Sequence, residues 1–341
     1  MHLGLALVLA LGCNIASVAS SQDVEDSDGS SFSGIYSNRT TETIRIQDEY
    51  YGIRHVNYWV TSDNHAIIDG DVVYPGTLED LLAKQYTGPD FDEDEDEGEE
   101  SQSSDNSTSS IGRRSLSVFR GFDTWPRSTV VYRFSNYAAQ RQVGRYVNDA
   151  ISGWRRRAPY LRFRRVRNGG GTMRGVLTIS FLPNDGCYAS IGYNGGSGTV
   201  MNLGNGCYSA EALHEFGHAL GLEHEHKRPD RERYVHFACQ NLDPQCRNMP
   251  RYSNCCSRSV PSGCCGQRHN FDIVRSGRDW SGPYDVHSVM QYVQGAFALP
   301  GRRTLIPARW GISIPTTNPS TLSYWDVKRI CKLYAGRGRR C

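Results

Sequence analysis

The chain lacks any apolar run that could cross a membrane, and apart from Cys13 it has no cysteine before position 187. Its longest uncharged apolar stretch, Leu3 to Leu11, is nine residues long, about half of the eighteen or so that a membrane helix needs, so a transmembrane protein is excluded. Basic residues are scarce early on. Residues 20–114 hold 22 Asp/Glu against 6 Lys/Arg, a net −16, whereas residues 115–341 hold 14 against 32, a net +18. The two halves should attract each other. Gly169-Gly170-Gly171 is followed by no P-loop Lys-Ser/Thr and opens no helix, so it reads as a turn and not a phosphate loop. No internal repeat is visible. With 341 residues, 38% hydrophobic and 22% charged, the chain is long enough for one or two domains with a real core.

The Leu3–Leu11 run has the length of the apolar region of a secretory signal, and Ser17-x-Ala19 supplies small residues suited to cleavage, so residues 1–19 are read as a signal peptide. No Lys or Arg precedes the run, and a buried helix or a lipid-anchored Cys13 are the alternatives. Removal of the signal takes Cys13 away and leaves ten cysteines between Cys187 and Cys341, an even number that predicts disulfides and a secreted, extracellular protein. Asn38 and Asn106 each begin an Asn-x-Thr triplet and are glycosylation candidates. Within residues 20–89 only Thr77 to Gln85 has helical spacing, and the scattered apolar residues predict a poor core. Residues 90–110 are acidic and Ser-rich, with nine carboxylates between Asp90 and Glu100, a composition that predicts a solvated linker. It leads to Arg113-Arg114, a dibasic pair open to a processing protease.

Beyond Arg114 the pattern changes. Thr129–Phe134, Tyr160–Val166 and Val176–Leu182 are alternating, β-branched or aromatic segments that predict strands. Gln140–Arg157 places Val143, Val147, Ile151 and Trp154 on one face of a predicted helix.

The chemistry is concentrated in His214-Glu215-Phe216-Gly217-His218-Ala219-Leu220-Gly221-Leu222-Glu223-His224. His214 and His218, four apart, fall one turn apart on a helix, where both imidazoles can reach one Zn²⁺. Ser209 is the expected N-cap. Gly221 can take positive φ and end the helix, bringing His224 round to the same metal. Three neutral ligands leave a fourth position for water. Glu215 stands where it can take that water's proton during attack on a carbonyl carbon and pass it to the leaving amine. At this chain's own residue frequencies the five-position pattern arises at about one start in ten million. A structural zinc site would close with a fourth Cys or His instead of offering a carboxylate base. His55, His65, His236 and His269 are read as ordinary histidines.

This spacing is that of the metzincin metalloproteases, and the continuation His224-Glu225-His226-x-Arg228-Pro229-Asp230-Arg231 resembles the astacin signature, as does Ser288-Val289-Met290-Gln291-Tyr292. Further similarity runs from Trp125-Pro126 through Gly186–Gly192 and Asn205-Gly206-Cys207 to Leu322–Asp326 and Leu333-Tyr334. The resemblance implies a zinc-dependent endopeptidase of protein or peptide substrates, made as a proenzyme. Its catalytic domain, 115–341, would be α+β and two-lobed, with a twisted sheet and the active-site helix in the first lobe and an irregular second lobe, preceded by a weakly structured pro-segment (20–114). It also implies that Met290 lies beneath the zinc and that Tyr292 is a further ligand at rest that swings away to stabilise the oxyanion. Glu225 would receive the new amino terminus, Tyr188–Ile191 would be the edge strand that pairs with substrate, and Cys187 would be joined to Cys207. In Ile68-Asp69-Gly70-Asp71-Val72 the Gly-Asp step resembles the astacin motif whose Asp caps the zinc, making Asp71 the expected latency residue and the pro-segment an intramolecular inhibitor.

Some features depart from that pattern. Tyr160 stands where an early Cys is usual, and Gln291 replaces a His. Six cysteines between Cys239 and Cys265 form an insertion. Three internal bridges, in any of fifteen pairings, are the simpler reading, with a second zinc site as the alternative. Cys331 and Cys341 remain as a pair. Arg155-Arg156-Arg157, Arg164-Arg165 and Arg337–Arg340 raise nucleic acid or an anionic polymer as a rival partner, but no nucleic-acid module accompanies them. A metal site without activity would be expected to have lost Glu215. The +18 surface predicts a salt-sensitive preference for acidic substrates.

Overall fold

The computed structural model describes residues 41–48, 52–88, 123–246, 254–257, 259–274 and 282–335. The expected signal peptide, the acidic run 90–110, Arg113-Arg114, Asn38, Asn106 and Cys341 lie outside the described residues.

Strand β5 (Thr129–Phe134), helix α2 (Tyr137–Arg157), β6 (Arg162–Arg165) and β7 (Leu177–Ser180) follow the predicted order. They form because each has one consistent apolar face. Val143, Val147, Ile151 and Trp154 are all buried along α2, and Asn136 caps its start by accepting from the Ala139 N–H. Strands β8 (Cys187–Ser190) and β9 (Thr199–Leu203) complete this part of the sheet, and α3 (Ser209–Ala219) packs on it beside α2. Its large core includes Trp125, Phe134, Trp154, Leu177, Phe216 and Met290. The second lobe is mostly irregular, with a two-stranded ribbon of β10 (Val235–Phe237) and β11 (Leu305–Pro307) and a closing helix α4 (Tyr324–Tyr334).

Residues 41–88 carry more regular structure than their sequence pattern predicts. β1 (Glu42–Asp48), β2 (Gly52–Val60), β3 (Ala66–Ile68) and β4 (Val72–Val73) form an antiparallel run, followed by α1 (Leu78–Ala83). Helix α1 is where the spacing predicts it, with a Thr77–Asp80 capping box. β3 and β4, three and two residues long, are too short to show a period, and β1 and β2 bury no alternating face. Their order becomes intelligible only through β4, which pairs in parallel with β8 (Val72 with Ala189, Val73 with Ser190) and joins all nine strands in the order β1-β2-β3-β4-β8-β9-β7-β5-β6. The edge expected at Tyr188–Ile191 is thus covered by β4.

Cys187 is joined to Cys207. The insertion contains three bridges, Cys239–Cys256, Cys246–Cys264 and Cys255–Cys265. Cys331 is also disulfide-bonded. The insertion packs against residues 41–88: Trp59, Ile67 and Val73 share a core with Cys255, Cys264, Cys265, Phe271 and Tyr292.

Candidate metal centre

Helix α3 brings His214, Glu215 and His218 into the interior, where each is at most 2% exposed. One local expectation fails. Ser209 is not the N-cap but the first helical residue, and its hydroxyl donates to Asp149 (2.7 Å). The cap is Tyr208, whose N–H donates to the Glu211 carboxylate at 2.8 Å, so a carboxylate one turn on satisfies the helix entrance. At the other end Gly221 has φ 104°, the left-handed turn that redirects the chain to His224.

The three imidazoles meet at Nε2, with 3.1 Å between His214 and His218 and 3.2 Å between His218 and His224. Asp71, wholly buried, lies between them, with carboxylate oxygens 3.3 Å, 3.5 Å and 3.0 Å from the Nε2 atoms of His214, His218 and His224. His214 Nδ1 faces the Val289 carbonyl at 2.6 Å and His218 Nδ1 the Leu222 carbonyl at 2.9 Å. A carbonyl only accepts, so both Nδ1 atoms carry the proton and both Nε2 atoms are left with bare lone pairs. Lone pairs facing one another and a carboxylate in a dry interior repel unless a cation lies among them. The separations agree with that cation being zinc, since tetrahedral nitrogen ligands at ~2.05 Å stand about 3.3 Å apart. Burial opposes ionisation of Asp71, but the surrounding imidazoles hold its carboxyl well below the usual range.

Glu215 is fully buried and neither of its carboxylate oxygens has a hydrogen-bond partner among the described residues. Burial, reinforced by the Asp71 charge, pushes its carboxyl well above the ordinary value. Met290 packs beneath α3 so closely that a Cβ on Gly217 would stand 2.4 Å from its sulfur. The Tyr292 ring lies 4.6 Å from that of His224 and is stacked at 3.9 Å on His226. Its hydroxyl donates to the Asp69 carbonyl at 2.9 Å. Glu225, 2% exposed, accepts from Arg329 Nη2 (2.7 Å) and from the Asp285 N–H (2.8 Å).

Two further residues receive no role from the sequence, although Asp326 lies within the similar segment Leu322–Asp326. Asp326 of α4 accepts from the Ser288 hydroxyl (2.5 Å) and the Val289 N–H (3.0 Å), so it pins the turn whose Val289 carbonyl orients His214. Lys227, only 1% exposed at its side chain, forms a contact ion pair with Asp69 (Nζ to Oδ1 2.5 Å). Both partners are invisible to pattern reading because they come together only through the fold.

A buried three-histidine cluster on a His-Glu-x-x-His helix, floored by a methionine turn, defines a metzincin-type zinc metallopeptidase. Residues 118–260 match the model of the Astacin peptidase family. The chain is 28% identical over 217 residues to astacin-like metalloprotease toxin 1 of Loxosceles intermedia, covering 62% of this chain and 70% of the toxin. It is 31% identical over 160 residues to zinc metalloproteinase nas-5 of Caenorhabditis elegans (46% of this chain, 39% of that one) and 30% identical over 157 residues to high choriolytic enzyme 1 of Oryzias latipes (46% and 50%). The match therefore spans at most half the length of these last two relatives. A solved structure of the Oryzias enzyme superposes with a TM-score of 0.44 at 24% identity, over 68% of this chain and all of that one. The matched part of the chain is thus similar to the astacin family of zinc-dependent metalloendopeptidases.

Proposed function

We propose that the protein is a secreted endopeptidase made as a latent precursor, in which residues 20–114 close the zinc centre of the catalytic domain 115–341 through Asp71. The observation that carries this is the Asp71 carboxylate lying within 3.5 Å of all three imidazole Nε2 atoms, in the space a catalytic water would need.

His214, His218 and His224 would hold the metal through Nε2, the first two kept in the correct tautomer by the Val289 and Leu222 carbonyls. Bound there, zinc would supply Lewis acidity to the scissile carbonyl and to the attacking water. Glu215 takes the proton of that water on a carboxylate oxygen and delivers it to the departing amine nitrogen. Tyr292, whose hydroxyl already donates to a peptide carbonyl at Asp69, donates to the substrate oxygen as negative charge builds on it. Strand β8, once β4 leaves, offers its edge to the backbone of an extended substrate. A buried interior keeps bulk water from the transferred proton.

Removal of the signal 1–19, the disulfides and glycosylation at Asn38 and Asn106 accord with an oxidising, extracellular setting. A processing protease cutting at Arg113-Arg114 would free the centre. The test is expression of the full chain in a secretory host, with hydrolysis of a quenched peptide measured before and after limited trypsin treatment. Activity that appears only after the cut and disappears with a chelator is expected. Full activity in the uncut chain would refute latency.

A further inference from the structure

Residues 150–184 contain eight arginines and no Lys, Asp or Glu, and all eight arginines are exposed. Seven of them fall between positions 155 and 167 and follow one edge of the fold. Arg155-Arg156-Arg157 end α2, Arg162 and Arg164 lie on β6, the last strand of the sheet, and Arg167 follows just beyond it. Among the described residues, none of these six side chains has a hydrogen bond or an ion pair.

The helix end and the strand form one surface. β6 runs parallel to β5, with Val130 beside Phe163 and Tyr132 beside Arg165. Phe163 packs edge-on against Phe216 of α3 at 5.8 Å, so Phe163 and Arg165 face the helices while Arg162 and Arg164 face the other way. Arg165 donates to Gln140 of α2 at 2.6 Å. Burial raises the Tyr132 phenol above its ordinary range, and Arg165 and Arg155 both oppose that rise, so the last turn of α2 and the strand converge on the same ring. Two ordinary causes account for part of this: a helix C-terminus favours cations, and charged side chains keep a bare sheet edge from pairing with another chain. Neither requires seven cations with no acid among them, whose mutual repulsion opposes the fold.

We propose that this edge is a docking surface for an extracellular sulfated polysaccharide. Each guanidinium offers a planar fork of N–H donors that matches an oxyanion. Arg162 and Arg164 repeat on one face at about 6.6 Å, a step suited to successive anionic groups of a polymer. β6 is four strand positions from β8, about 19 Å, and β1–β4 extend the opposite edge, so the surface is open both before and after the cleft is uncovered. Bound there, a matrix polymer holds the enzyme in place and leaves the metal centre free. The choice of a polysaccharide over nucleic acid rests on the secreted reading above. The chain's own acidic run, Asp90–Glu100, is a poorer occupant. It departs from beside β1, where the Tyr86 N–H donates to the Arg45 carbonyl, eight strand positions or about 38 Å from β6. Residues 89–100 span at most about 43 Å when fully extended, so only the last of them reach this edge.

The experiment uses the full uncut chain and the chain activated by limited proteolysis between residues 88 and 123. Heparin is the probe, with desulfated heparin and duplex DNA as comparisons, and Kd is read by titration calorimetry over a series of salt concentrations. Both forms of the chain should bind heparin, and desulfated heparin should bind about ten-fold more weakly or worse. The triple variant Arg156→Gln, Arg162→Gln, Arg164→Gln should lose about ten-fold or more in heparin affinity and reduce the slope of log Kd against log salt by about two to three. Arg302→Gln, Arg303→Gln, Arg309→Gln removes as much charge from exposed positions of the second lobe and should change the affinity by less than about two-fold. The first triple variant should melt with the parent and, once activated, hydrolyse a short uncharged peptide at the parent's rate. Absence of heparin binding would overturn the proposal, as would an equal loss in the two triple variants or tighter binding of DNA than of heparin. Binding confined to the activated chain would also overturn it and assign the edge to the acidic run. Retention of the chain inside a secretory host would instead bring down the secreted reading, which the heparin affinity of the purified chain does not test.

Discussion

Gly70 and Tyr292 are fitted so closely that a Cβ on the first would stand 2.1 Å from the hydroxyl of the second. Gly70 also has φ 96°, a region that side chains disfavour. Gly70→Ala should therefore destabilise the closed form through strain of about 1–3 kcal/mol in addition to the clash. Removing the hydroxyl leaves the ring Cζ at 3.3 Å, which is close to a tolerable contact. Thermal unfolding of the uncut chain should fall in Gly70→Ala and recover in part in the Gly70→Ala, Tyr292→Phe double variant. No recovery would assign the whole loss to the backbone.

Glu215→Ala should abolish peptide hydrolysis, by on the order of 10² to 10⁴ in rate or more, while zinc measured by atomic absorption stays at one per chain. A chelator should do the same to the activated parent, with zinc restoring it. Activity in metal-free protein would contradict the proposed mechanism.

Asp71→Ala removes the carboxylate that sits among the three imidazoles. The uncut variant should hydrolyse peptide or process itself without added protease, while β1–β4 can still pair on the sheet. A variant as silent as the parent would place latency in the covering strands alone.

Asp326→Ala breaks two bonds to the Ser288–Val289 turn and leaves buried donors unpaired. It should cost on the order of 2–4 kcal/mol of stability. Through the Val289 carbonyl it should also weaken zinc binding by about 10- to 100-fold, read by competition with a chromogenic chelator. Unchanged metal affinity would show that the turn holds its position without α4.

Much of this was legible because the signals are local. The spacing of His214 and His218 requires only a helix, and the α2 face from Val143 to Trp154 repeats often enough to read. Thr77 and Asp80 announce a helix start within four residues. Where a role depends on a distant partner, the sequence is silent. Val72 and Val73 are too few to reveal a strand, and β4 is defined by pairing with Ala189 and Ser190. Lys227 reads as one more surface lysine until Asp69 is brought against it. The N-cap at Ser209 misled because a serine at a helix start is usually its cap, whereas here the cap falls one residue earlier, at Tyr208, and the Ser209 hydroxyl donates to Asp149.

The pairing of β4 with β8 also sets an order of events during synthesis. Residues 41–88 emerge first and have the makings of a small core of their own, in Ile46, Val56, Tyr58, Ile68 and Leu81. Their seam partner is made more than a hundred residues later, as are all three histidines. Closing so long a loop costs little extra free energy but is slow, because distant contacts form late. His214 and His218 on α3, and His224 just beyond the Gly221 turn, can thus assemble through local contacts before Asp71 arrives. The centre would then stand open to a metal before the covering strands close over it.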